Sequence, residues 1–164
     1  MIKRILLIVF ICFLIALIKR DLSYNHTYLP ELNTMPQVQI QGNMVHVDYV
    51  RNATYGTNAQ LQYFNTSYNV SQLDSLWFFL EPFNRYSGHT LLSFGFDDGT
   101  YLAYSVEARK EIGEKWTPLY AAFNTFELMY VFGSERDLIT VRTYERNSTL
   151  LMYQVNISHI QLEA

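Results

Sequence analysis

Ser87 to Glu111 reads SGHTLLSFGFDDGTYLAYSVEARKE, and this stretch decides how the chain folds. Two runs rich in aromatic and β-branched residues, Thr90 to Phe96 and Thr100 to Val106, flank Asp97-Asp98-Gly99. A three-residue loop with glycine in the left-handed position joins hairpin strands well. Side chains alternate along a strand, so Thr90, Leu92, Phe94 and Phe96 share one face, and Thr100, Leu102, Tyr104 and Val106 share one face of the return strand. These are the more apolar halves and are expected to point to the core. That requirement sets Phe96 opposite Thr100 and Leu92 opposite Tyr104, because a one-residue slip would turn one set outward.

Carried outward, the same register places His89 opposite Glu107 on the other face. Directly opposed Cβ atoms lie about 4.5–5.5 Å apart. A carboxylate there can accept a hydrogen bond from one ring nitrogen and hold the imidazole as the third member of a catalytic triad does. Between them the face carries Leu91, Ser93, Gly95, Ala103 and Ser105. These are mostly small residues that would let a substrate approach the backbone. His89 and Glu107 are therefore the candidate catalytic pair. A plainer reading stands beside it: a cross-strand pair on a solvated face, contributing a fraction of a kcal/mol. Nothing in the sequence activates Ser93 or Ser105 as a nucleophile.

Strands are also expected at Val38 to Ile40, Met44 to Val50, Leu76 to Leu80, Phe126 to Phe132, Leu138 to Thr143 and Thr149 to Val155. Arg51 to Asn69 reads as a long polar loop, Ser71 as the cap of one helical turn, and Pro82 as the end of a strand. Thr117-Pro118 reads as the start of a short helix through Asn124. The fold class expected is α+β: an antiparallel sheet with few short helices, preceded by an N-terminal hydrophobic helix.

Residues 1–20 open with two cations and fourteen apolar residues, Ile5 to Ile18, before Lys19-Arg20. As a helix that run is about 21 Å long, short of a hydrocarbon core of roughly 30 Å. No A-x-A-like cleavage site follows, which favours an uncleaved signal anchor over a cleaved signal peptide. Residues 21–37, with Pro30 and Pro36, read as a linker, and 38–164 as one extracytoplasmic domain. Six N-x-[ST] sequons begin at Asn25, Asn52, Asn65, Asn69, Asn147 and Asn156. They fit either a glycosylated extracellular or luminal domain or a plain bias toward Asn, Ser and Thr.

The net charge of −3 excludes a basic footprint for nucleic acid. The single cysteine, Cys12, excludes an internal disulfide framework. Four scattered histidines give no metal-ligand spacing, so neither a metal nor another cofactor is expected. The partners expected are the membrane, through the N-terminal helix, and a lipoprotein, peptide or lipid substrate.

GHTLLSFGFDDGTYLAYSVEARKEIGE, TFELMYVFGSERDLITVRTYER and LLMYQV together resemble the Lnb N-terminal periplasmic domain family, over about Gly42 to Val155. The resemblance implies a circularly permuted, papain-like cysteine-enzyme fold linked to N-acylation of bacterial lipoproteins. It maps the family's strand histidine onto His89. The family's cysteine, in an Asn-Cys-Thr-Thr segment, has no counterpart before Ala164. Cys12, in the apolar run, is not expected to replace it. The expectation is a C-terminally truncated domain, inactive alone unless a second polypeptide supplies the cysteine, or else a non-catalytic module binding a peptide or lipid head group. Arg109 and Lys110, with Glu111, Glu114 and Lys115, offer weak candidates for binding an anionic group, against the plainer reading of a solvated loop. Arg142 is expected in a strand, paired with Glu127 or Glu135.

Overall fold

A computed structural model describes residues 2–18, 27–117, 121 and 126–156. The hairpin forms as β5 (Ser87–Phe96) and β6 (Tyr101–Arg109), with Leu92 opposite Tyr104. Gly99 takes the left-handed conformation, φ 80°, and donates to the Phe96 carbonyl. The Asp98 carboxylate closes the turn by accepting from the Thr100 N–H at 2.8 Å and its hydroxyl at 2.6 Å. Register and turn are those expected.

The faces are not. Leu91, Ser93, Gly95, Ala103 and Ser105 are buried, whereas Leu92, Phe94 and Tyr104 are half-buried and Val106 is exposed. The small-residue face, expected to be open to substrate, is packed. Small residues there leave room for the long buried side chain of Arg142, which reaches His89, Ser105 and Glu107. At the turn end the other face does reach a core: Phe96 and Phe132 pack on Val47, Val50, Tyr68 and Leu102. The Tyr68 and Phe96 rings stack 4.6 Å apart.

The remaining strands are β1 (Gln37–Gln41), β2 (Met44–Thr54), β3 (Gln60–Asn69), β4 (Leu73–Asn84), β7 (Glu127–Gly133) and β8 (Leu151–Val155). Together the eight form one sheet in the order β1-β2-β7-β6-β5-β4-β8, with β3 also paired to β2. The sheet is mixed rather than antiparallel, because β2 runs parallel to β7 at Arg51 and Gly133. Arg51 to Asn69, expected as loop, supplies the end of β2 and all of β3; most of β3 is exposed, so polar residues sit in it without cost. Pro82 lies inside β4 opposite Gly88, with an irregularity just beyond it, instead of ending the strand. Asn69, not Ser71, caps the short 3-10 turn Val70–Gln72 by accepting from the Ser71 N–H.

The largest departure is Leu138 to Thr143, expected as a strand. It belongs to helix α3 (Glu135–Thr140), which runs on as a π turn, Val141–Glu145. Ser134 caps α3 by accepting from the Asp137 N–H, and Glu135 and Asp137 place negative charge in its first turn. These terminal signals outweigh the β-branched run Ile139-Thr140-Val141.

The chain divides into two compact units, residues 1–33 with 108–129, and residues 34–107 with 130–164. In the first, helix α1 spans Ile2–Ile18 over 17 residues, and a four-residue helix α2 spans Pro30–Asn33. Among the described residues no helix is long and apolar enough to cross a membrane. The part of the expected linker that is described is not loose: Tyr28 bridges Glu111, the Leu29 N–H donates to the Lys110 carbonyl, and Leu32 is buried. The helix expected from Thr117 to Asn124 lies largely outside the described residues.

Candidate functional site

The second unit buries a polar cluster against the packed face of the hairpin. Its sheet side comes from β4, β5 and β6. Glu81 lies opposite His89, and Ser105 and Glu107 alternate along β6. Arg142 enters from the π turn and is fully buried.

Ser105 occupies the centre. Its hydroxyl donates to Glu107 Oε1 at 2.8 Å and lies 2.8 Å from His89 Nε2. His89 Nε2 and Glu107 Oε1 are 3.4 Å apart, so the serine bridges what the bare register would pair directly. Arg142 Nη2 lies 2.6 Å from Glu107 Oε1, 2.7 Å from His89 Nε2 and 3.2 Å from Ser105 Oγ. Arg142 Nη1 donates to the Leu138 carbonyl at 2.6 Å, one helical turn back.

A second carboxylate flanks the first. Glu81 is buried, with Oε2 3.4 Å from Arg142 Nε and 3.3 Å from Arg146 Nη1. Arg142 Nε makes no hydrogen bond of its own, so Glu81 answers its charge without satisfying its donor. Burial alone would raise the Glu107 carboxyl. Hydrogen bonding and charge from His89, when its ring is protonated, and the guanidinium charges of Arg142 and Arg146 outweigh that and hold it well below the usual carboxylate range.

His89 and Glu107 thus belong to one cluster. Arg142 joins them from a helix, in place of the expected strand position and pairing with Glu127 or Glu135. Sequence reasoning also passed over Glu81, Arg146 and the bridging role of Ser105. One signal was available: Arg142 and Arg146 are four residues apart, so on a helix they share a face.

Arg109 and Lys110 belong to the first unit. Arg109 donates from Nε and Nη2 to the carbonyls of Leu32 and Asn33, each at 3.0 Å. It lies 3.7 Å over the Tyr28 ring, with Nη1 3.5 Å from Glu127 Oε2. These contacts occupy the guanidinium within the protein and leave it poorly placed for an outside anion. The Lys110 ammonium makes no hydrogen bond or ion pair among the described residues.

A separate Ser–His–Asp contact lies on β2 and β3, where His46 Nδ1 is 2.8 Å from Ser67 Oγ and Nε2 is 3.1 Å from Asp48 Oδ1. The His46 side chain is 41% exposed. This matches a cross-strand polar pair on a solvated face. Among the described residues no group of three or more His, Cys, Asp or Glu could hold a metal ion.

Residues 59–164, well over half of the chain, match the Lnb N-terminal periplasmic domain family. The chain belongs to this family. No curated protein and no solved structure matches it. As an Lnb N-terminal domain it falls among periplasmic domains, which suggests an extracytoplasmic location. The matched segment contains every member of the buried cluster, Glu81 through Arg146.

Proposed function

We propose that this Lnb N-terminal domain supplies the histidine side of an extracytoplasmic acyl-transfer site, with His89 as the reacting imidazole. The observation that carries the reading is the one-sided hold on the ring. Nε2 faces Ser105, Glu107 and Arg142, while Nδ1 has no hydrogen-bond partner among the described residues. An imidazole oriented through one nitrogen offers the other to a reacting group. The chemistry fits a thiol nucleophile: its proton passes to Nδ1, sulfur bonds to the acyl carbon as the bond from that carbon to the ester oxygen breaks, and the oxygen leaves as the alcohol by taking the proton from Nδ1, with Glu107 stabilising the imidazolium in between. The nucleophile would come from outside the second unit's sheet. The apolar N-terminal run supports export, as a leader or as an anchor.

A small thiol in solution can stand in for the nucleophile. The purified chain should accelerate acyl transfer from an activated acyl ester to that thiol. His89→Ala should reduce the acceleration by about 100-fold or more, and Glu107→Gln should weaken it less. Equal rates for wild type and His89→Ala would remove the catalytic reading and leave a domain that binds without reacting.

A further inference from the structure

We propose that Arg142 is a positioning residue that fixes the tautomer of His89 and holds the site at rest. Arginine carries only donors and stays protonated in proteins. Its Nη2 lies 2.7 Å from His89 Nε2. A protonated Nε2 would set donor against donor at that distance, so Nε2 accepts. The neutral imidazole therefore carries its proton on Nδ1, the nitrogen with no partner among the described residues.

This tautomer presents a hydrogen-bond donor outward. It can hold a carbonyl oxygen or a thiolate, but it cannot take a proton at Nδ1. Activation requires the ring proton to pass to Nε2, and Nη2 must first vacate that position. Both alternative acceptors are already in place, Glu107 Oε1 at 2.6 Å and Ser105 Oγ at 3.2 Å. With Arg142 turned to them, Nε2–H can donate to Ser105 Oγ, and Nδ1 becomes a base. Arg142 is suited to this because its other end is fixed: Nη1 is tied to the Leu138 carbonyl. A small rotation of the guanidinium, open to the free chain without a partner, then changes the state of the ring while the Glu107 carboxylate keeps its counter-charge.

The tautomer rests on the donor-only guanidinium at 2.7 Å from Nε2, because the Ser105 hydroxyl at 2.8 Å can either donate or accept. Its bearing on catalysis rests on the acyl-transfer reading. Nitrogen NMR of the His89 ring in the wild-type chain, at a pH where the imidazole is neutral, separates the two. The expected result is a protonated Nδ1, an unprotonated Nε2, and a coupling across the hydrogen bond between Arg142 Nη2 and His89 Nε2. In Arg142→Lys, a point charge can neutralise Glu107 without filling Nε2, and the Nε2–H signal should appear. A wild-type proton on Nε2, or no coupling to Arg142, overturns the proposal whatever the thiol assay gives. If Arg142→Lys fails to fold, the wild-type tautomer and coupling decide alone. If the tautomer is as stated and His89→Ala leaves the thiol reaction unchanged, the lock stands and the acyl-transfer reading falls.

Discussion

At the scale of single residues, Glu107 carries the clearest consequence. Its carboxyl is held below the usual range in the folded protein, while an unfolded glutamate titrates near about 4.3. A depressed folded value means the stabilisation is complete above the unfolded value and is lost as pH falls through the folded one. Stability should therefore decline from about pH 5 downward, and denaturant midpoints of Glu107→Gln should fall less steeply over that range. At pH 7 the same substitution should cost about 3 kcal/mol, since Arg142 keeps its charge in a buried site with less to answer it. Gly95 is a second sensitive position. A Cβ there would lie 2.5 Å from Ser75 Oγ and 2.8 Å from the Tyr101 ring. Gly95→Ala should lower stability by about 1–3 kcal/mol in urea titration. His89 and Glu107 were legible in the sequence because strand alternation and one turn determine who faces whom. Arg142 was not, since its side-chain partners lie between 35 and 61 residues away along the chain, a separation no local pattern records.

At the scale of elements, α3 is anchored by two contacts of different strength. Ser134 accepts from the Asp137 N–H and donates to Asn52 Oδ1 at 2.9 Å. Asp137 is fully buried and accepts from Arg51 Nε at 2.9 Å, Arg51 Nη2 at 3.1 Å, the Ala53 N–H at 2.9 Å and the Tyr55 hydroxyl at 2.6 Å. Ser134→Ala should cost about 1 kcal/mol, the ordinary value of a lost cap. Asp137→Ala should cost about 3–5 kcal/mol, because it strands a buried guanidinium. Chemical denaturation of both variants checks the ordering; similar losses would mean that the Arg51–Asp137 pair contributes little. The hairpin was readable because turn chemistry and alternation agree. α3 was misread because Leu138 to Thr143 has strand-like composition, and the deciding signals lie upstream, at Ser134 and in the acidic first turn. β3 was missed for the opposite reason: it is largely exposed, so nothing selects the apolar alternation by which strands are recognised.

At the scale of the whole molecule, a sheet with few short helices was foreseeable from the wealth of aromatic and β-branched residues. The side of the hairpin that would be packed was not. Half-apolar strands can bury either face, and here the small-residue face is the one that receives the buried Arg142 between Glu81 and Glu107. The parallel contact of β2 with β7 joins Arg51 to Gly133, and Arg142 follows nine residues later. A chain emerging N-terminus first therefore exposes Glu81 and Glu107 well before their cation exists. Such late closure favours slow, all-or-none folding after synthesis over stepwise gain of structure. Chains halted before residue 133 should be cut quickly by protease, whereas chains released beyond Arg146 should resist it. Gradual protection with increasing length would show that the early strands hold together unaided. Late closure means that the sheet takes its shape only once the turn carrying Arg142 has been made, and until then its strands form a pliable thread.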